Sequence, residues 1–523
     1  MKCPVCGNDT FDDKDYEYDI CEECFWEYDI LQVKNPDLSG GANHHSLNEY
    51  KKIYYRLKNE KPDFSCKNEE DKKLILEMDR SWGGFCMLNK SGNKLRNLMM
   101  YQVFVRNHSK EGTFEGVLKD LDRIRALGTD IIYFLPIHPI GEKNRKGTLG
   151  CPYAIKDYRA VNEEYGTIED FKKLVSAIHD KGMKCIMDVV YNHTSPDSVL
   201  SVDHPEWFYH KEDGSFGNRI GDWTDVIDLD YSNEALWEYQ IDTLKYWAEI
   251  VDGFRCDVAP LVPIAFWERA RKEVKEVCPD CIWLAESVEP GFVMGCRSNN
   301  IAMLSDGELY RAFDICYDYD IYDAFTDYLT GRIPLSTYLE SVSRQEWMYP
   351  NDYVKLRFIE NHDKTRAHFL VPDEKALRNL TAFSFFQKGM AFVYSGQEFG
   401  AVHLPSLFDK DLISLKENDG VDMTELVSRL SQIKKNEIFT DSEYSVTEVA
   451  KDICLAMHKK SDKIVMGIFS LKGSCTTVKV PVKNGAFVNE ITGENIEVSN
   501  KCISCNGEPV IISITSSMYE DNF

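Results

Sequence analysis

The sequence predicts an α/β protein whose main body is a closed eight-fold barrel of parallel strands, with a small cysteine-rich domain before it and an all-β domain after it. Three observations carry this. From about Leu98, apolar β-rich runs alternate with amphipathic runs of helical length, the pattern of repeated β–α units around a parallel sheet. The alternation lasts to about residue 430, generous for a (β/α)8, or TIM, barrel. Before residue 60 and after about residue 440 the patterning is of a different kind.

The elements follow in order. MMYQVFV reads as the first strand and TFEGVLKDLDRIRALG as an amphipathic helix ending at Gly128. DIIYFLP is the second strand, and TIEDFKKLVSAIHDKG a helix ending at Gly182. KCIMDVVY, DGFRCDV and IWLAE are the third, fourth and fifth strands, separated by the helices ALWEYQIDTLKYWAEI and AFWERARKEVKEV. VKLRFIE, the helix LRNLTAFSFFQKG and the strand MAFVYSG complete the run. The stretch 194–232, after the third strand, is long enough to form a short inserted loop domain, and loops of that size usually have a function. Short alternating segments such as DICLAMHKK, KIVMGIFSL and PVIISITS predict a C-terminal β-sandwich over 436–523. The expected domains are therefore 1–60, a charged connector 61–97, the barrel 98–435 and the β domain.

Composition sets outer bounds. With 523 residues, 43% of them hydrophobic, the chain is long enough for several cores. The net charge is −25 and there is no long basic run, which argues against nucleic acid or an anionic membrane as partner. The N-terminus is acidic where a secretion signal would be apolar, and no run of 18 apolar residues exists. The 17 cysteines are odd in number and read as reduced thiols, so the cytoplasm is the expected compartment.

In such a barrel the active site lies at the C-terminal ends of the strands. Here the third strand runs into Asp188, Asn192 and His193, the fourth into Arg255 and Asp257, the fifth into Glu286, and the seventh into Asn361, His362 and Asp363. One ionisable strand end is unremarkable. Four at the same edge of a sheet point to a site.

Those segments, DVVYNH, GFRCD, LAES and FIENHD, together with CPYAIKDY, EEYG and GQEFG, resemble the short sequence regions of the alpha-amylase family of glycoside hydrolases. The resemblance covers roughly residues 98–515. It implies Asp257 as nucleophile, Glu286 as general acid/base and Asp363 as the carboxylate that stabilises the transition state. It implies Arg255 as the residue that orients the nucleophile, His193 and His362 as donors to sugar hydroxyls, and Tyr153 as an aromatic platform. The chemistry needs these types: one carboxylic acid protonates the leaving oxygen while a second carboxylate attacks the anomeric carbon. The substrate implied is an α-glucan or malto-oligosaccharide, cleaved with retention. A transglycosylase or a sucrose- or trehalose-type isomerase would use the same carboxylates, and a non-catalytic scaffold would be expected to lack one of them.

Three departures stand out. Cys256 separates Arg255 from Asp257 and reads as a packing residue. The inserted loop has DVIDLDYSN, with Asp228 and Asp230, where the family has a QPDLN-like segment. Asn192 matches a residue that binds structural calcium in many members, but clear partner carboxylates are not evident, so calcium stays an open expectation.

Cys3, Cys6, Cys21 and Cys24 form C-x2-C-x14-C-x2-C, the spacing of a four-thiolate structural zinc site in a domain with little core of its own. The stretch resembles the small cysteine-rich CPCC domain through CPVCG, ICEECFWEYD and NPDLSGGANHHSLNEY, with Val5 in place of one namesake cysteine. The pairs Cys278/Cys281 and Cys502/Cys505 stand alone and read as ordinary thiols.

Overall fold

A computed structural model describes residues 2–11, 19–37, 42–43, 45–82, 92–220, 223–416 and 421–520. The chain divides into two compact units, Met1–Lys90 and Ser91–Phe523.

The N-terminal unit makes the same turn twice. Cys3 N donates to Asn8 O and Gly7 N to Cys3 O; eighteen residues on, Cys21 N donates to Trp26 O and Phe25 N to Cys21 O. Gly7 and Phe25 occupy equivalent places, at φ 78° and 62°. Glycine takes this left-handed conformation freely; a phenylalanine there is held by its surroundings. A capping box of Ser46 and Glu49 starts the helix Leu47–Glu60. Its Tyr50, Tyr54 and Leu57 are buried with Trp26 and the cysteines. Phe64, Cys66 and Ile75, from the stretch expected as a connector, are buried in the same cluster. That stretch also carries the helix Glu69–Trp82, so the compact unit continues beyond residue 60.

The second unit holds eight parallel strands: β1 (Met99–Val103), β2 (Ile131–Phe134), β3 (Lys184–Val189), β4 (Gly253–Cys256), β5 (Ile282–Ala285), β6 (Ile315–Tyr317), β7 (Lys355–Arg357) and β8 (Met390–Tyr394). They close in the order 1-8-7-6-5-4-3-2, each strand beside its sequence neighbour. All but one of their residues are buried, as expected when helices cover a parallel sheet. Of the covering helices, Ile168–Asp180 begins at a capping box of Thr167 and Asp170, and Glu234–Ala248 at an Asn233 cap. Gly253 opens β4 because a Cβ there would meet Ile282 O of β5 at 2.3 Å. The run expected as one helix before Gly128 is two, Phe114–Leu118 and Leu121–Ala126.

The inserted loop is tied to the barrel by a two-residue ribbon in which His193 pairs with Asp228 and Thr194 with Ile227. Its Trp207, Phe208 and Leu229 are buried in the same apolar cluster as the barrel strands. After the barrel come two four-stranded sheets. Ile453, Leu455 and Met466 of one pack with Val478, Val498 and Ile503 of the other, the β-sandwich that the alternation predicts. No helix among the described residues is long and apolar enough to cross a membrane.

Candidate active site

Strand register builds the site. β3 and β4 pair with Asp188 opposite Arg255 and Val189 opposite Cys256. Because side chains alternate along a strand, Asp188, Arg255 and Asp257 project together at the barrel mouth. Cys256 falls on the other face and is buried in the main apolar cluster, as its packing role requires.

Arg255 is fully buried and joins three carboxylates. Its Nη1 donates to Asp188 Oδ1 at 2.8 Å and to Asp257 Oδ1 at 2.7 Å. Its Nη2 lies 2.6 Å from Glu286 Oε1, but no N–H is aligned on that oxygen. Glu286 Oε2 accepts from the backbone N–H of Val258 at 2.7 Å. Val258 holds φ 38°, ψ 44°, a left-handed conformation that costs a β-branched residue about 1–3 kcal/mol. The strained peptide is the one that aims its N–H at Glu286.

One guanidinium among three carboxylates leaves an excess of negative charge, which protons relieve. Burial raises all three, Arg255 opposes it, and mutual repulsion adds to it: Asp188 is pushed up to about 6, Asp257 to about 7 and Glu286 to about 8. Glu286 is thus the last of the three to lose its proton, the ordering that an acid beside a carboxylate nucleophile needs.

Asp363 completes the set from the end of β7. Asn361 shapes its loop, accepting from Asp363 N at 2.9 Å and donating to Tyr319 at 2.8 Å. The Asp363 side chain is 41% exposed and therefore open to a ligand. His362 Nε2 is 3.1 Å from Asp363 Oδ2 and 2.7 Å from the Tyr153 hydroxyl. Gln102 donates to His362 Nδ1 at 2.8 Å, so the ring proton sits on Nε2. Burial lowers both His362 and His193 to about 4, leaving them neutral. His193 Nε2 lies 3.9 Å from Asp257 Oδ2.

Tyr153 is more than a flat surface. Its hydroxyl donates to Asp188 Oδ2 at 3.0 Å, and its ring lies within 14° of the His362 plane. A second tyrosine, Tyr133 on β2, donates to the same Asp188 oxygen at 2.6 Å. Asp188 is therefore fixed from both sides.

A cavity of about 410 Å³ opens over these groups, lined by Tyr153, His193, Asp257, Glu286 and Asp363. All three expected catalytic carboxylates line it, with two of the four expected sugar-binding residues; Arg255 and His362 lie behind. Sequence reasoning did not single out Trp223, Asp225, Phe292, Tyr319 or Lys364, which also line it. Trp223 belongs to the inserted loop and packs against His193 with ring centroids 5.2 Å apart. A lone aromatic in a loop carries no periodic signal that would have marked it.

Asn192, the residue matched to a calcium ligand, and the carboxylates of the neighbouring DVIDLDYSN segment do not suit a cation. Asn192 turns its amide toward His193 Nδ1 at 3.2 Å. Arg219 lies 3.7 Å from both Asp228 and Asp230 and stacks over Tyr209, placing a fixed positive charge beside both carboxylates. The cysteines do suit one. Their four sulfurs lie within 4.8 Å of one another, with Cys3–Cys24 at 3.5 Å and Cys6–Cys21 at 3.6 Å. Tetrahedral zinc with ligands at 2.3 Å would separate them by about 3.8 Å. No other such group of His, Cys, Asp and Glu occurs among the described residues.

The family model for the alpha amylase catalytic domain matches residues 90–438, that for the bacterial alpha amylase C-terminal domain 445–512, and that for Cysteine-rich CPCC 1–65. An alpha-amylase from Lactobacillus plantarum is 48% identical, with a TM-score of 0.79 over 80% of this chain and 99% of that one. The maltogenic alpha-amylase AmyB from Thermotoga neapolitana is 32% identical, with a TM-score of 0.72 over the same shares. The alpha-1,4-glucan:maltose-1-phosphate maltosyltransferase of Salinibacter ruber is 34% identical over 216 residues, 36% of this chain and 32% of that one. The chain thus spans about a third of that relative's length.

Proposed function

This chain belongs to the alpha-amylase family, and on that premise we propose that it is a retaining hydrolase of α-glucosidic bonds in malto-oligosaccharides and related α-glucans. The observation that carries the reading is the sharing of one buried guanidinium by Asp188, Asp257 and Glu286 beneath an open cavity.

In this mechanism Asp257 attacks the anomeric carbon while Glu286 gives its proton to the departing glycosidic oxygen. The bond to the leaving sugar breaks as a bond to Asp257 forms, leaving a covalent glycosyl-enzyme of inverted configuration. Glu286, now ionised, takes a proton from water, and the water oxygen displaces Asp257 with a second inversion. Asp363 and neutral His193 hold the sugar hydroxyls, Tyr153 offers its ring to the sugar face, and His362 positions Tyr153 and Asp363 from behind.

The charge of the cavity favours a neutral glucan over a sugar phosphate. Two lysines line it, and each is already paired, Lys146 with Asp225 at 2.7 Å and Lys364 with Glu289 at 2.6 Å. Neither is spare for a phosphate, which would also face Asp257, Glu286 and Asp363. Transfer to a sugar acceptor is the second reading, supported by the maltosyltransferase relative. Incubation with maltoheptaose, pullulan, cyclodextrin, sucrose and trehalose, with products sized over time, tests the choice. Hydrolysis gives only shorter products; products longer than the substrate would establish transfer.

We further assign the four N-terminal cysteines to a structural zinc ion, which would hold the two turns together. Neutral sugar as the ligand, with no nucleic acid or membrane partner, fits the net charge of −25. A cytoplasmic setting fits the described cysteines, none of which is joined in a disulfide.

A further inference from the structure

The C-x2-C spacing of the N-terminal cysteines recurs twice in the second unit, at Cys278/Cys281 and at Cys502/Cys505, and the fold treats these two pairs differently. Cys502 and Cys505 are the first and last residues of one β-strand. Extended backbone rises about 3.3 Å per residue, so their Cα atoms stand about 10 Å apart. A disulfide spans at most about 7 Å between Cα atoms, and these two thiols remain the ordinary pair that the sequence suggests.

Cys278 and Cys281 instead bracket a tight turn. Cys281 N donates to Cys278 O at 3.1 Å, with Pro279 and Asp280 as the two central residues. Proline's fixed φ suits the second position of such a turn, and the turn brings its end Cα atoms within about 7 Å. Both ends are anchored. Cys278 N donates to Val274 O at the end of the helix Ile264–Val274, and Ile282 N donates to Asp252 O where β5 begins. The two thiols hydrogen-bond each other. That bond, together with burial, pushes the Cys281 thiol well above its usual range. Cys278 is only half-buried, and the same bond holds its thiol below the usual range, with help from the Lys184 ammonium. A reachable thiol that ionises readily, in contact with a shielded partner, is the division of roles that thiol–disulfide exchange uses. Neither cysteine belongs to a group of three or more metal-ligating side chains among the described residues, so the zinc reading of the N-terminal cysteines does not extend here.

We propose that Cys278 and Cys281 form a reversible oxidative modification site, a dithiol that low-molecular-weight disulfides convert to an intramolecular disulfide. Cys278, as the thiolate, attacks one sulfur of the small disulfide. That S–S bond breaks, and the other half leaves as a thiolate that takes a proton from solvent. Cys281 then attacks the Cys278 sulfur and breaks the mixed disulfide, its proton passing to the second departing thiolate. The two cysteines lose two electrons together, and the small disulfide is reduced to two thiols. In a reducing cytoplasm the pair rests as the dithiol. The new bond closes the connection from the helix Ile264–Val274 to β5 at the end of that strand remote from Glu286. The proposal therefore stands apart from the reading of the active site, and its test reads mass, not activity.

The full chain is reduced, freed of reductant, and incubated with excess oxidised glutathione. Remaining thiols are alkylated, and the cysteines are mapped by tandem mass spectrometry. Cys278 and Cys281 should both lose alkylation, joined to each other with the loss of two hydrogens and no glutathione attached. A dithiol reductant should restore both, and no Cys502–Cys505 bridge should form. In Cys281→Ala the reaction should stop with glutathione on Cys278, whereas Cys278→Ser, at a half-buried position, should leave Cys281 unmodified. In the unsubstituted chain, two alkylated cysteines, a lasting glutathione adduct on either, or a bridge from either to a third cysteine would each overturn the proposal.

Discussion

Arg255 donates to Asp257 across 2.7 Å while the same guanidinium also contacts Asp188 and Glu286. A single positive charge is thus divided among three buried carboxylates. The proposed nucleophile must be ionised and the proposed acid protonated, and this sharing separates them. It leads to a prediction about pH. Activity needs Asp257 without its proton, hence pH above about 7, and Glu286 with its proton, hence pH below about 8. The plot of kcat/KM should be a bell with its apex between those values, the limbs belonging to the coupled set and not to isolated residues. In Glu286→Gln, assayed with a glucosyl fluoride that leaves without a proton, the alkaline limb should disappear. A limb that stays would mean another group sets it.

The two hydrogen bonds of Tyr153 predict a graded series. Tyr153→Phe keeps the ring but frees Asp188 and His362 from its hydroxyl. A bond to a charged group is worth about 1.5–3 kcal/mol, so kcat/KM should fall at least about tenfold. Tyr153→Ala loses the ring as well, worth on the order of a further 1 kcal/mol. Steady-state kinetics on maltoheptaose decides this, and equal damage from both changes would mean that the ring contributes nothing.

Much of this site was legible because chemistry and strand ends coincide in the sequence. DVVYNH, GFRCD, LAES and FIENHD each place an ionisable group just past an apolar strand, and register then brings Asp188 beside Arg255. Other parts were not legible. β6 is only Ile315–Tyr317, too short to show a period of its own. The helix expected before Gly128 breaks in two, although its apolar spacing runs through the break. Tyr133, Gln102 and Lys364 act through contacts 55, 260 and 75 residues away, and no local pattern announces such pairings. The connector reading of 61–97 rested on its charge, which hid Phe64, Cys66 and Ile75 among polar neighbours.

The four clustered sulfurs predict one zinc per chain, bound within residues 1–30. Cys21→Ser removes a ligand from the second turn and should abolish binding, measured by metal analysis of purified protein. The proposed glucan hydrolysis should survive largely intact, since the barrel has its own core. Protein prepared without chelators that contains no zinc would end this assignment.

The central claim is double displacement through Asp257. Asp257→Asn should remove activity by several orders of magnitude with any leaving group, because an amide is a poor nucleophile. Glu286→Gln should still form the glycosyl-enzyme from an activated substrate, stall there, and be rescued by azide to give an α-glycosyl azide. The most direct test is proton NMR of the first product released by the unsubstituted enzyme from an α-linked substrate. The α-anomer should appear first and mutarotate afterwards. A β-anomer appearing first would mean single displacement, and Asp257 could not be the nucleophile.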